Sequence, residues 1–213
     1  MGAGMAGRII TVAQQKGGSG KTTLAANLAV EFRRRGLLVA LLDTDPQGSL
    51  GRWFMTRRAQ VEDAGLVFST SSSWGVSYEC EKLKKDADIV IVDTPPKVDA
   101  DLRPALREAD AVLVPVASSP LDLWATDGVL DLAARENKRG WLVLNRVRAG
   151  TRLQDEVARL AAEMEGDLMA AQVANRVAYA ETLGQGSAAA EGGPAAARAE
   201  IRALADEVLA RFG

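Results

Sequence analysis

The sequence predicts an α/β fold, a doubly wound and mostly parallel sheet with helices on both faces. Three observations predict it. Apolar runs of strand length alternate with stretches of helical periodicity, as buried parallel strands and their crossover helices do. Runs of this kind close on acidic residues, Asp43 and Asp93 among them. Between the first run and the first helix stands Gln14-Gln15-Lys16-Gly17-Gly18-Ser19-Gly20-Lys21-Thr22-Thr23, a glycine-rich phosphate-binding loop.

Ile9 to Ala13 reads as the first strand. In the loop after it, small residues let successive backbone N–H groups turn toward an anion, and the next helix points its positive dipole end the same way. Gly17, Gly18, Ser19 and Gly20 supply the turn, with Thr23 closing the phosphate cradle. Lys21 is placed to reach the β- and γ-phosphates, and the Thr22 hydroxyl to sit on Mg²⁺. Lys16 has no task in an ordinary loop of this kind. The helix runs through Leu24, Leu28 and Phe32 until Gly36 ends it.

Leu37 to Leu42 is the second strand, closing at Asp43, and Ser49 to Ala59 a helix. A short strand follows near Leu66–Phe68, then a helix from Val76 to Lys85. Ile89 to Val92 is a buried strand ending at Asp93, stopped by Thr94-Pro95-Pro96. Ala111 to Val116 is another strand, and Leu121 to Glu136 a single helix. Trp141 to Leu144 is a strand ending at Asn145. Two further helices and one short strand near Leu168–Val173 precede Gln185 to Pro194, a Gly/Ala/Ser-rich loop. The last helix, Ala195 to Phe212, carries Ile201, Leu204, Val208 and Phe212 on one stripe.

The chain has 213 residues, enough for one α/β domain with a full core and too few for two comfortable ones. The expectation is therefore one domain over 1–213, with 1–7 flexible and unlike a signal peptide. A net charge of −2 confines any nucleic-acid binding to a local patch. The single cysteine, Cys80, excludes an internal disulfide and suits a reducing cytoplasm. There is no histidine, which removes Ser-His-Asp hydrolysis, Cys-His proteolysis and nearly all zinc enzymes.

Three segments at strand ends carry residues suited to Mg–nucleotide chemistry. One is the loop. The second is Asp43-Thr44-Asp45-Pro46-Gln47-Gly48, and the third is Asp93-Thr94-Pro95-Pro96. Asp93 follows an apolar strand as a Walker B carboxylate does, holding Mg²⁺ through a bound water. Asp45 is the candidate for orienting water in line with the γ-phosphate, and a candidate near the metal. Asp43 supports Mg²⁺ or the loop itself.

Together, Lys16 to Thr23, Asp43 to Gln47 and Asp93 to Pro96 resemble the ParA/MinD family of deviant Walker A ATPases. The resemblance covers nearly the whole chain. Its compactness and Ser119-Pro120-Leu121-Asp122 are most similar to the small ParA proteins, ParF among them. The resemblance implies an ATPase using ATP and Mg²⁺, with Lys16 reaching in trans onto the partner's nucleotide in an ATP-dependent homodimer. It also implies that Asn145 contacts adenine. A small stimulating or cargo-adaptor protein, slow hydrolysis and positioning of a cargo on the nucleoid are implied as well.

Members of the family differ in the surface that they recognise. From Lys138 to Arg152 there are five basic residues (Lys138, Arg139, Arg146, Arg148 and Arg152) and no acidic one, with Arg176 extending the patch. Such charges give nonspecific DNA affinity by neutralising phosphates; the plain alternative is a solvated basic face. A MinD-like membrane helix is disfavoured, because Arg198, Arg202 and Arg211 are balanced by Glu200, Asp206 and Glu207. An ATP-dependent metabolic enzyme on the same scaffold is the remaining alternative. Lys97 either senses the γ-phosphate or faces water, and Trp124 is placed near a dimer interface.

Overall fold

The computed structural model describes residues 7–61, 64–97, 101–117 and 119–213. Residues 1–6, within the lead expected to be flexible, lie outside the described residues. The first half of the chain runs β1 (Arg8–Val12), α1 (Lys21–Arg34), β2 (Val39–Asp43), α2 (Ser49–Gln60), β3 (Val67–Thr70), α3 (Gly75–Asp86) and β4 (Ile89–Asp93). The middle runs α4 (Arg103–Glu108), β5 (Ala111–Ala117), α5 (Pro120–Trp124), α6 (Asp127–Arg135), β6 (Gly140–Val147) and α7 (Arg152–Ala162). The end holds β7 (Asp167–Leu168), β8 (Val173–Ala174), α8 (Val177–Gly184), α9 (Ala189–Gly192) and α10 (Ala195–Ala210).

The strands form one sheet in the order β3-β2-β4-β1-β5-β6-β7, with β8 also paired to β6. Every pairing among the described residues is parallel. That follows from helices connecting the strands, since a parallel neighbour needs a crossover. Strand composition explains the double coverage. In β4, Ile89 and Ile91 join the core with α1, α2 and α10, whereas Val90 and Val92 face the core with α3. All four are fully buried.

Register places the chemistry. Val12 pairs with Asp93, and Asp93 pairs with Asp43. The phosphate loop and both strand-end acids therefore leave the sheet from a single rung on its carboxyl edge, where folds of this type bind ligands.

The structure corrects four details. The helix expected over Leu121–Glu136 is two helices. Thr126 donates its backbone N–H to Leu123 O at 2.7 Å and its hydroxyl to Asp122 O at 2.9 Å, tightening the chain there. α4, one short helix opened by Pro104, has too few residues to show a period. The single strand near Leu168–Val173 is two short strands, β7 and β8, both on β6. The loop over Gln185–Pro194 contains the single turn α9.

On α10 the apolar stripe packs inward as expected: Ile201, Leu204 and Val208 are fully buried in the core shared with α1. No described helix is long and apolar enough to cross a membrane.

Candidate functional site

The loop after β1 takes its shape from glycine. Gly18 and Gly20 stand at φ +77° and +98°, a region that only glycine enters without a Cβ penalty. Gly20 is the N-cap of α1; no side chain caps that helix and its first turn holds no acidic residue. The first N–H groups of α1 therefore open onto a concavity suited to an anion. Gly17, Gly18, Gly20, Lys21, Thr22 and Thr23 line it, as do Asp45 and Arg146.

Lys21 is buried and curls back over the loop, its Nζ donating to Gln14 O at 3.0 Å. Burial lowers its pKa, while Asp93 and Asp45 draw it back up. Thr22 Oγ1 donates to Asp93 Oδ2 at 2.6 Å. The other oxygen, Asp93 Oδ1, is buried without a hydrogen-bond partner among the described residues. Burial pushes the Asp93 carboxyl up to about 7, against the Thr22 hydrogen bond and with the neighbouring Asp43 adding to the rise. An oxygen in that condition calls for a cation or a cation-bound water, and a hydroxyl beside a carboxylate is a donor set suited to Mg²⁺.

Asp43 holds the turn after β2, not the phosphate loop. Its Oδ1 accepts the Asp45 N–H at 3.1 Å and its Oδ2 the Gly51 N–H at 2.9 Å, which satisfies the first turn of α2. Asp45 is half-buried, and its own Oδ1 accepts the Gln47 N–H at 2.9 Å. The turn thus presents Asp45 to the phosphate concavity, with Asp43 as its anchor.

Lys16 is placed differently. It lies outside the concavity that Lys21 enters, and its side chain is 44% exposed. It forms an ion pair with Asp122 of α5, a carboxylate that also accepts the Ser119 hydroxyl at 2.5 Å.

Asn145, two residues before the end of β6, is buried against the loop. Its Nδ2 donates to Ser19 O at 2.7 Å, and its Oδ1 accepts the Arg146 N–H at 3.0 Å. Beside it a second hollow opens, bordered by Gly20, Thr23, Asn145, Asn175 and Tyr179. Its position beyond the first turn of α1 suits the base and sugar of a nucleotide whose phosphates lie in the loop.

Residues 10–189 match the model of the CobQ/CobB/MinD/ParA nucleotide binding domain. The chain belongs to this family. It is 29% identical over 205 residues to the maintenance of carboxysome distribution protein A of Halothiobacillus neapolitanus, covering 93% of this chain and 92% of the relative. It is 30% identical over 250 residues to the chromosome-partitioning ATPase Soj of Thermus thermophilus, covering 96% of each. Among solved structures, a putative plasmid partition protein from Borrelia burgdorferi bound to AMPPNP superposes with a TM-score of 0.77 at 17% identity, covering 96% of this chain and 99% of that one.

In this ParA/MinD-family chain Lys21, Thr22, Thr23 and the loop glycines meet Asp45 and Asp93, whereas Lys16 stands apart and the six basic residues do not gather. Lys138 and Arg139 precede β6, whereas Arg146, Arg148 and Arg152 lie at or beyond its far end, roughly 25 Å away at strand rise. Lys138 Nζ donates to Ala109 O at 2.6 Å, and Arg139 pairs with Asp167 at 3.0 Å. Arg176 is bound to Glu200 at 2.6 Å, and the Tyr179 hydroxyl donates to the same carboxylate at 2.7 Å. Arg148 and Arg152 are exposed. Lys97 is exposed and borders a separate hollow with Asp45, Pro95 and Pro96.

The structure gives two residues contacts that their motifs do not announce, Gln14 and Asp122. Gln14 is buried, its Nε2 donating to Pro115 O at 3.2 Å and to Thr126 Oγ1 at 3.1 Å. It thereby ties the loop to the α5–α6 junction. A polar residue directly after an apolar strand was the available signal. Asp122 had a weaker one, its position two residues after a Ser-Pro pair.

Proposed function

We propose that this chain is a ParA-like positioning ATPase. It binds ATP with Mg²⁺, pairs with a second copy across the loaded nucleotides, holds DNA nonspecifically in that state and leaves it after hydrolysis. The observation that carries this reading is the division of labour between the two lysines. Lys21 occupies its own phosphate concavity, while Lys16 stands outside it on an exposed rim. A cation in that position suits a phosphate presented by another subunit, and it would add charge stabilisation only when two loaded copies meet.

Within one copy, the N-terminus of α1 and Lys21 bind and orient the phosphates. Thr22 and Asp93 would hold Mg²⁺, which would supply charge neutralisation for the phosphates. Asp45, set by Asp43 and the Gln47 N–H, orients a water toward the γ-phosphate. A stimulating partner protein would accelerate the step by fixing that geometry, since phosphoryl transfer depends mainly on positioning and charge.

Arg148 and Arg152, exposed beyond the end of β6, are the DNA contacts that the geometry favours, doubled in a dimer. Nucleoid association follows from that contact. The buried stripe of α10 speaks against a MinD-like membrane helix in the folded chain. The relatives' names, carboxysome distribution and chromosome partitioning, mark the kind of cargo that such an ATPase serves.

The deciding experiment measures mass by light scattering and duplex binding by fluorescence anisotropy, with ATP, ADP or no nucleotide, across a salt series. The expected result is a dimer and DNA binding with ATP alone, weakening steeply as salt rises. A demonstrated ATP dimer that ignores DNA would remove the DNA half. A chain that stays monomeric with ATP bound would remove the sandwich.

A further inference from the structure

The geometry points to Arg146 as a nucleotide-contacting residue whose guanidinium holds the α-phosphate, an inference that rests on the ATP-binding reading above. Composition alone groups Arg146 with the basic residues expected to touch DNA, but its place in the fold is different.

β6 does not end regularly. Its pairing with β8 slips between Asn145 and Val147, so that Arg146 is the extra residue of a bulge. The backbone of Arg146 is left-handed, at φ +57°, in a residue type that has no intrinsic reason to be there. Bulges of this kind re-aim a side chain near functional sites. Here Asn145 and Val147 are buried on either side while Arg146 emerges at the carboxyl edge of the sheet. The Asn145 Oδ1 accepts the Arg146 N–H at 3.0 Å, fixing the bulge to the same carboxamide that holds Ser19.

Two hollows meet at this point. One is the phosphate concavity with Lys21, and the other is the base and sugar hollow with Asn175 and Tyr179. Three residues border both: Gly20, Thr23 and Arg146. A nucleotide whose terminal phosphates lie on Lys21 and whose base lies beside Asn175 must put its α-phosphate at that border. Gly20 and Thr23 contribute the loop and the first turn of α1, and Arg146 contributes the charge. A planar guanidinium with several donors suits a bridging phosphate better than an ammonium does, but charge is the larger part of the contact.

The test is nucleotide affinity without DNA, by titration of ATP and ADP into the wild-type chain and into Arg146→Gln, Arg146→Lys and Arg146→Gly. Because ATP and ADP both carry the α-phosphate, Arg146→Gln should weaken them by the same factor, on the order of tenfold. Arg146→Lys should recover most of that loss. Arg146→Gly suits the left-handed backbone and so keeps the fold should the others unfold; it should bind as weakly as Arg146→Gln. Unchanged ATP and ADP affinities would overturn the inference, as would a loss confined to ATP or an Arg146→Lys chain no better than Arg146→Gln. A wild-type chain that binds neither nucleotide would instead overturn the ATP-binding reading itself.

Discussion

Asn145 clamps the phosphate loop from across the sheet edge: its Nδ2 donates to Ser19 O at 2.7 Å, 126 residues away in sequence. A Cβ on Gly20 would run into that same nitrogen. The loop's conformation thus depends on β6 as much as on its own glycines. Asn145→Ala should cost about 1–2 kcal/mol of stability and weaken nucleotide binding. Asn145→Asp should bind no better, because a carboxylate cannot donate to Ser19 O. Denaturant midpoints paired with nucleotide titration check both; intact affinity in both variants would remove the clamp from the binding site.

Lys21→Ala should lower ATP affinity or turnover by roughly a hundredfold, since it removes the only lysine inside the described phosphate concavity. Its folding midpoint should change far less. Titration and a phosphate-release assay report the first quantity, and a thermal melt the second.

Lys16→Ala should bind ATP with near-normal affinity yet remain monomeric in light scattering. Asp122→Asn should shift the ATP dimer the other way, to about two- to fivefold lower protein concentration. It removes an ion pair that holds Lys16 within its own subunit, and a partly exposed pair is worth little more than that. A dimer unaffected by Asp122→Asn would mean that the pair does not compete with dimerisation.

Asp45→Ala should cut hydrolysis by roughly a hundredfold or more while leaving ATP binding intact. The dimer should then persist on DNA for as long as ATP is present. Single-turnover kinetics and dissociation rates from DNA supply the comparison.

Cys80 offers a reporter of opening. It is fully buried, and burial pushes its thiol up to about 12, with Glu108 and Glu79 adding to the rise. Alkylation in the native chain therefore requires unfolding, and should slow about a hundredfold at a nucleotide concentration near 100 times Kd. The folded thiol titrates above its ordinary 9.0. Its contribution to stability is therefore full below that pH and is lost as pH climbs through the folded value. Labelling that nucleotide fails to slow would point to local opening around α3.

The loop and the strand-end acids were legible because each is a continuous segment whose chemistry is local. Strand-to-helix alternation carried the sheet for the same reason. What stayed hidden depends on distance in sequence. Lys138 and Arg152 look adjacent along the chain, yet β6 carries them to opposite edges of the sheet. Lys16 and Asp122 look unrelated, yet the α5 turn brings them into contact. Arg146 could not be separated from Arg148 by charge alone, because a bulge decides where it points. The break at Thr126 leaves no mark in the sequence, because threonine is an ordinary helix residue until its hydroxyl and backbone bond to the preceding turn.

The shared rung of Val12, Asp93 and Asp43 also governs which changes in length the scaffold can survive. Inserting one residue within β1, β2 or β4 would carry a site residue about 3.3 Å along the edge and turn it to the other face. Peptide insertions and fused tags should therefore be lethal to nucleotide binding in those three strands. They should be tolerated in the connection after α7, which enters the short strand β7 away from the rung.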